Sequence, residues 1–166
     1  MYWWWFGPAV TKAEVTGEIE MMRRAGIRLY PHLPPLSDQP GRPEEGIRYY
    51  SGAATYRKSF DLPEKVTGRH LFLDLGVVNY VAAVRVNGKD VGVVWTAPWR
   101  VEITHVVKPH DNSLEIDVVN LWMNRLIGDA KLPPEKRFTK TNVVPDPDWQ
   151  LFSSGLLGPV TLQARG

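Results

Sequence analysis

The sequence predicts a mainly β protein, an antiparallel sandwich with one short N-terminal helix, and three observations carry that prediction. From about residue 50 onward, short runs rich in β-branched and aromatic residues are punctuated by turn residues every dozen positions or so. Fourteen glycines and fourteen prolines in 166 residues suit a turn-rich β chain more than a helical bundle. Helix signals are confined to the first 30 residues.

The helix comes first in the chain. Thr11 followed by Glu14 forms a capping-box pattern, Val15, Ile19 and Met22 repeat at helical spacing, and Gly26 can close the last turn, which predicts a helix over 12–25. Gly17 weakens it by about 1 kcal/mol relative to alanine, and its single apolar stripe requires something to lie against. Residues 1–27 therefore read as a strand and helix packed on the main domain. Five prolines with Gly41 between Pro31 and Pro43 block both ladders and helices, so 28–48 reads as a linker and 49–166 as the sandwich.

Within the sandwich, Ala54–Leu62 reads as a strand with Tyr56 and Phe60 at even spacing, stopped by Pro63. Leu71, Leu73 and Leu75 alternate with Phe72 and Asp74, which gives the next strand one core face. Val81–Val86 runs into Asn87-Gly88, residues that both accept the positive φ of a type I′ hairpin turn, and Val91–Trp95 returns. Trp99–Ile103 and Leu114–Val119 are two further strands, with a turn at Lys108–Asn112 before the second. Val160–Gln163 closes the chain after a turn over Ser153–Gly158. Two packed antiparallel sheets of jelly-roll or related type follow from this order.

A 43% hydrophobic content suffices for one packed core and is too little for a catalytic barrel beside a sandwich. Twenty basic residues against 18 acidic ones leave a charge of +2, with the cations scattered along the chain, so no nucleic-acid partner is expected. An oligo- or polysaccharide, uronic-acid polymers included, tolerates that balance. Without cysteine there is neither a disulfide nor a thiolate metal site. The apolar start Met1–Pro8 is short and lacks a basic leader, so it reads as neither signal peptide nor membrane span, and the compartment stays open.

The stretch Val118–Asp129, read as a long loop after a strand, gathers Asn120, Trp122, Asn124, Arg125 and Asp129. Amide and guanidinium donors match sugar hydroxyls or a carboxylate, while an indole face covers the apolar side of a pyranose. The structural alternative has the amides and Asp129 satisfying backbone groups, Arg125 pairing with Asp129, and Trp122 in the core. Trp95 and Trp99 flank a proline turn, where one ring can face a glycan and the other close the core. Trp149, next to Asp146 and Asp148, adds a further aromatic.

For hydrolysis, two carboxylates about 5 to 9 Å apart are needed across a bound sugar. Glu102 with Glu115 or Asp117 on neighbouring strands is the weak candidate pair, since no apolar niche is evident that would raise an acid's pKa. His32, His70, His105 and His110 show no ligand spacing, and no serine sits in a nucleophile elbow. No cofactor or metal is expected, and no acidic loop has the spacing of a structural calcium site.

The ordered set Tyr56-Arg57-Lys58-Ser59-Phe60-Asp61-Leu62-Pro63, Leu71-Phe72-Leu73-Asp74-Leu75-Gly76 and Val84-Arg85-Val86-Asn87-Gly88-Lys89-Asp90-Val91-Gly92 resembles the sugar-binding, galactose-binding-like jelly roll of glycoside hydrolase family 2. With Asn120–Asp129 and Ser154-Gly155-Leu156-Leu157-Gly158-Pro159-Val160 it is most similar to the C-terminal sandwich of the family 106 α-L-rhamnosidases. Trp3–Phe6, Val10–Lys12 and Glu20–Ile27 are similar to the opening strand and helix of the catalytic barrel in those enzymes.

The resemblance implies a carbohydrate-binding or accessory module of a rhamnosidase-like glycoside hydrolase, directed to plant-type glycans, whose full-length relatives are typically exported. The barrel's catalytic acids have no counterpart here, which implies an internal deletion and argues against catalysis. A stand-alone glycoside hydrolase using surface carboxylates is one alternative. A non-catalytic assembly protein is another, forming a homodimer through a surface that faces the barrel in relatives.

Overall fold

The structure, a computed structural model, describes residues 45–63, 66, 70–143 and 145–165. The expected helix over 12–25, the Trp3–Phe6 segment and the linker up to residue 44 lie outside the described residues. The last four linker positions are not extended: Glu45–Arg48 forms one helical turn, α1, and its Ile47 is buried.

Nine strands follow among the described residues. They are β1 (Ala53–Phe60), β2 (His70–Asp74), β3 (Val77–Asn79), β4 (Val81–Val86), β5 (Lys89–Val94), β6 (Arg100–Glu102), β7 (Asn112–Val119), β8 (Gly155–Gly158) and β9 (Thr161–Arg165). One sheet has the order β1-β7-β4-β5, a second β6-β2-β9, and β3 pairs with β8 in a short ribbon, all antiparallel. The strong alternation in β4 and β7 puts Ala82, Val84, Val86, Leu114, Ile116 and Val118 inward, where they join Leu71 and Leu73 of β2, Val101 of β6 and Leu156 of β8 in one core. Antiparallel sheets sharing one buried interior make a sandwich, as the sequence pattern predicts.

The Asn87-Gly88 hairpin has the expected positive φ angles, 53° and 76°. That end of the sandwich is stitched by side-chain amides: Asn87 Nδ2 donates to Val106 O (2.7 Å) and to Asn112 Oδ1 (2.9 Å), and Asn112 Nδ2 donates to Lys108 O (2.7 Å).

Three further elements differ from the sequence reading. The stretch Val118–Asp129 is not a long loop: Met123–Ala130 is a helix, α2, with Leu126 and Ile127 fully buried. The ribbon strand β3 was not expected, and β8 occupies the stretch read as a turn over Ser153–Gly158. The ribbon is held by close backbone approach. Gly76, at φ +68°, bridges Gly158, and a side chain on Gly76 would stand 2.3 Å from the Gly158 carbonyl.

Candidate functional site

The register places most of the predicted site residues at the end of the sandwich opposite the Asn87-Gly88 turn. Val81 and Ala53 both lie opposite Val119, and Val94 lies opposite Ala82, so Asn120 and Trp95 leave the four-stranded sheet at the same end. Trp99 O accepts the Leu75 amide at 2.7 Å just before Gly76, which brings the Trp95–Trp99 turn and the β3–β8 ribbon to that end as well.

The amides there are committed to the frame. Asn120 is buried; its Oδ1 accepts from the Gly52 amide (2.8 Å) and its Nδ2 donates to Tyr50 O (2.9 Å), which fixes the entry into β1. Asn124 is buried in the first turn of α2. Its Nδ2 donates to Phe152 O (2.7 Å) and Ser154 Oγ (3.1 Å), while its Oδ1 accepts from the Phe152 amide (2.8 Å), tying the segment before β8 to the helix.

Arg125 and Asp129 meet at 3.0 Å with side chains only 12% and 4% exposed, an ionic contact without the alignment of a hydrogen bond. Asp129 Oδ2 accepts instead from the Thr139 amide (2.7 Å) and hydroxyl (2.6 Å). The guanidinium lies over Phe138 (4.5 Å) and within 5.8 Å of the Tyr49 ring centre. Gly128 permits this packing, because a Cβ there would stand 2.7 Å from Tyr49 Cγ. For Asn120, Asn124, Arg125 and Asp129 the structural alternative therefore describes what the side chains do.

The indoles behave differently. Trp122 is not in the core: it occupies the N-cap position of α2 and is 48% exposed, because the helix turns Leu126 and Ile127 inward and leaves its own tip at the surface. Trp95 is 70% exposed, whereas Trp99 packs partly against the core, so the two rings of that turn divide as expected. Trp149 is 52% exposed and three residues from Phe152, which limits its Cα to about 10 Å from the Phe152 anchor. Exposed Leu121 and Phe152 were not singled out in the sequence, although each lies within three residues of a tryptophan that was. The result is an end face with exposed aromatic rings above a rigid layer of satisfied amides.

The candidate acid pair is not assembled. Glu102 stands on β6 in the three-stranded sheet, while Glu115 and Asp117 stand on β7 in the other, because the Trp99–Ile103 run pairs with β2 and not with β7. The Arg85 guanidinium beside Glu115 holds that carboxyl below its usual range, with Arg57 adding to the effect against the opposing influence of burial. Asp117 accepts from Arg85 Nη2 (2.7 Å) and from the Thr55 hydroxyl (2.5 Å). His70 and then Thr104 likewise lower Glu102. These are shifts away from what a general acid needs.

Among the described residues no three His, Asp or Glu side chains gather as a metal site, and no helix is long and apolar enough to cross a membrane. A depression of about 30 Å³ bordered by Leu126, Asp129, Arg137, Thr139 and Val143 has room for a water or two, far below the roughly 300 Å³ and more of ligand pockets.

An antiparallel galactose-binding-like sandwich whose exposed rings crown one end is the type of accessory domain that glycoside hydrolases carry. The chain belongs to the glycosyl hydrolase 2 galactose-binding domain-like family, which matches residues 41–148. It is similar to a rhamnosidase from Novosphingobium sp. PP1Y of known structure, at 43% identity and a TM-score of 0.70, over 76% of this chain and 12% of that one. It is also 44% identical to a putative β-glucuronidase from Formosa agariphila, over 71% of this chain and 12% of that protein. The chain thus spans about one eighth of the length of each relative.

Proposed function

We propose that this domain contacts glycans for a glycoside hydrolase and does no bond cleavage itself, with Trp95, Trp122 and Trp149 as the contact rings. The observation that supports the reading is the division at the end face: the indoles are exposed, while Asn120, Asn124, Arg125 and Asp129 are spent on the frame. An indole face gains by covering the C–H side of a pyranose, and a rigid support keeps the entropy cost of binding low. Rhamnose-containing oligosaccharides and pectic polymers are the proposed class of ligand, in keeping with the similarity to a rhamnosidase.

Isothermal titration of the whole chain against such a panel tests this. Heat lost in Trp122→Ala and Trp95→Ala at unchanged melting temperature supports it, and a panel without heat removes it. The exposed apolar side chains Val77, Leu121 and Phe152 at this end favour a second reading, self-association through the same face. A mass by light scattering that stays monomeric at every concentration argues against that reading.

A further inference from the structure

The cations look scattered along the whole sequence, yet Lys131, Lys136, Arg137 and Lys140 fall within ten residues that hold a single acid, Glu135, a local charge of +3. The whole chain carries +2, so everything outside this segment sums to −1. Elsewhere the arginines that face acids are neutralised: Arg57 and Arg85 by Glu115 and Asp117, Arg125 by Asp129. Among the described residues none of the four cations of the segment enters an ion pair. All four are exposed. Uncompensated like charges side by side repel one another, and an anionic partner relieves that repulsion.

The segment is also held in shape. Pro134–Lys136 is a 3-10 turn, Arg137 Nε donates to Leu132 O at 3.1 Å, and Thr139 is bound twice to Asp129. Phe138, half exposed, is backed by the Arg125 guanidinium at 4.5 Å. Cations flanking a supported ring, on a loop that needs little ordering to bind, match a sugar chain that carries negative groups. A nucleic acid fits less well, because a strand of bases asks for a row of stacking rings and the segment offers one.

We propose that residues 131–140 form a contact for glycans bearing carboxylate or sulfate groups, with Lys136, Arg137 and Lys140 meeting the anions and Phe138 covering the sugar's apolar face. The proposal rests on the glycan reading above and deepens it by adding the charge class of the ligand.

Calorimetry on the full 166-residue chain separates the two. The probes are an oligogalacturonate, the same oligomer with its carboxyls reduced, a sulfated galactan, and single-stranded DNA of equal charge. The uronate binds about tenfold tighter than its reduced form at low salt, as about three exposed charge contacts give, and the advantage shrinks as salt rises. Lys136→Gln with Lys140→Gln loses most of that advantage at an unchanged melting temperature, and the matching double arginine variant keeps it. Sulfated galactan that binds as the uronate does extends the site to both anions; sulfated galactan that does not restricts it to carboxylates. Equal affinity for charged and reduced oligomers overturns this proposal and leaves the glycan reading standing. Binding of neither overturns this proposal as well, and the glycan reading is then decided by the rhamnose-containing panel alone. DNA bound more tightly than either glycan overturns the assignment to a sugar.

Discussion

Replacing Asn124 by alanine should unfold the domain more easily without touching a ligand. The side chain is 2% exposed and makes three hydrogen bonds at 2.7, 2.8 and 3.1 Å, two of them to the Phe152 main chain. Its loss leaves the partly buried Phe152 N–H without this partner, at about 1 to 3 kcal/mol. The Phe152 carbonyl loses about 1 kcal/mol and keeps the Ser154 hydroxyl at 3.3 Å. Alanine returns about 0.5 kcal/mol as the better helix former. The net is a destabilisation of about 2 to 3 kcal/mol, or roughly 10 °C in melting temperature for a domain of this size. Urea unfolding followed by tryptophan fluorescence gives the free energy, and glycan titration of the folded variant gives the affinity. Trp122→Ala, two residues away and half exposed, should cost less than about 1 kcal/mol and serves as the contrast. An Asn124→Ala protein that melts within about 3 °C of the parent while losing sugar affinity would refute the assignment of this amide to the frame.

Gly76→Ala should abolish cooperative folding or cost more than about 3 kcal/mol, since its Cβ would meet the Gly158 carbonyl at 2.3 Å from a backbone at φ +68°; circular dichroism melts check this. Asp129→Asn removes the counter-charge of a buried Arg125 and weakens the hold on Thr139, so a loss of about 2 to 4 kcal/mol is expected together with faster tryptic cutting at Lys136 and Arg137. Glu115 sits below its usual pKa in the folded protein, so the unfolded chain binds the extra proton first. Stability is therefore full above the normal carboxylate range near about 4.3 and falls as pH drops through the lower folded value. Glu115→Gln should flatten that acid limb in pH-dependent urea titrations, and an unchanged slope counts against the Arg85–Glu115 pairing as its source.

The strands that carry a strong local pattern were legible. Asn87-Gly88 announced its hairpin because both residues tolerate positive φ, and the Leu71–Leu73–Leu75 alternation announced a core face because one side of β2 is fully buried. The helix α2 was not legible. Its N-cap is Trp122 with no capping hydrogen bond, and it contains Asn124 and Gly128, poor helix formers. What holds it is tertiary: buried Leu126 and Ile127, the Asn124 tie to Phe152, and Tyr49 against Gly128. The β3–β8 ribbon was invisible for a related reason, as two strands of three and four residues exist only because distant glycines allow the backbones to meet. The site was half legible. Residue types drew attention to Asn120, Trp122 and Asn124 together, but single-sequence pattern could not separate amides turned inward from an indole turned outward, because that distinction depends on α2 and on the tie between Asn124 and Phe152.

The account turns on that separation, and the most direct test is a two-dimensional NMR titration of the whole chain with a rhamnose-containing oligosaccharide. Seven indole N–H signals are available. Those of Trp95, Trp122 and Trp149 should shift with a common saturation, while that of Trp99 and the side-chain amides of Asn120 and Asn124 stay in place. Shifts concentrated on the two amides with the three exposed indoles unmoved would contradict the account.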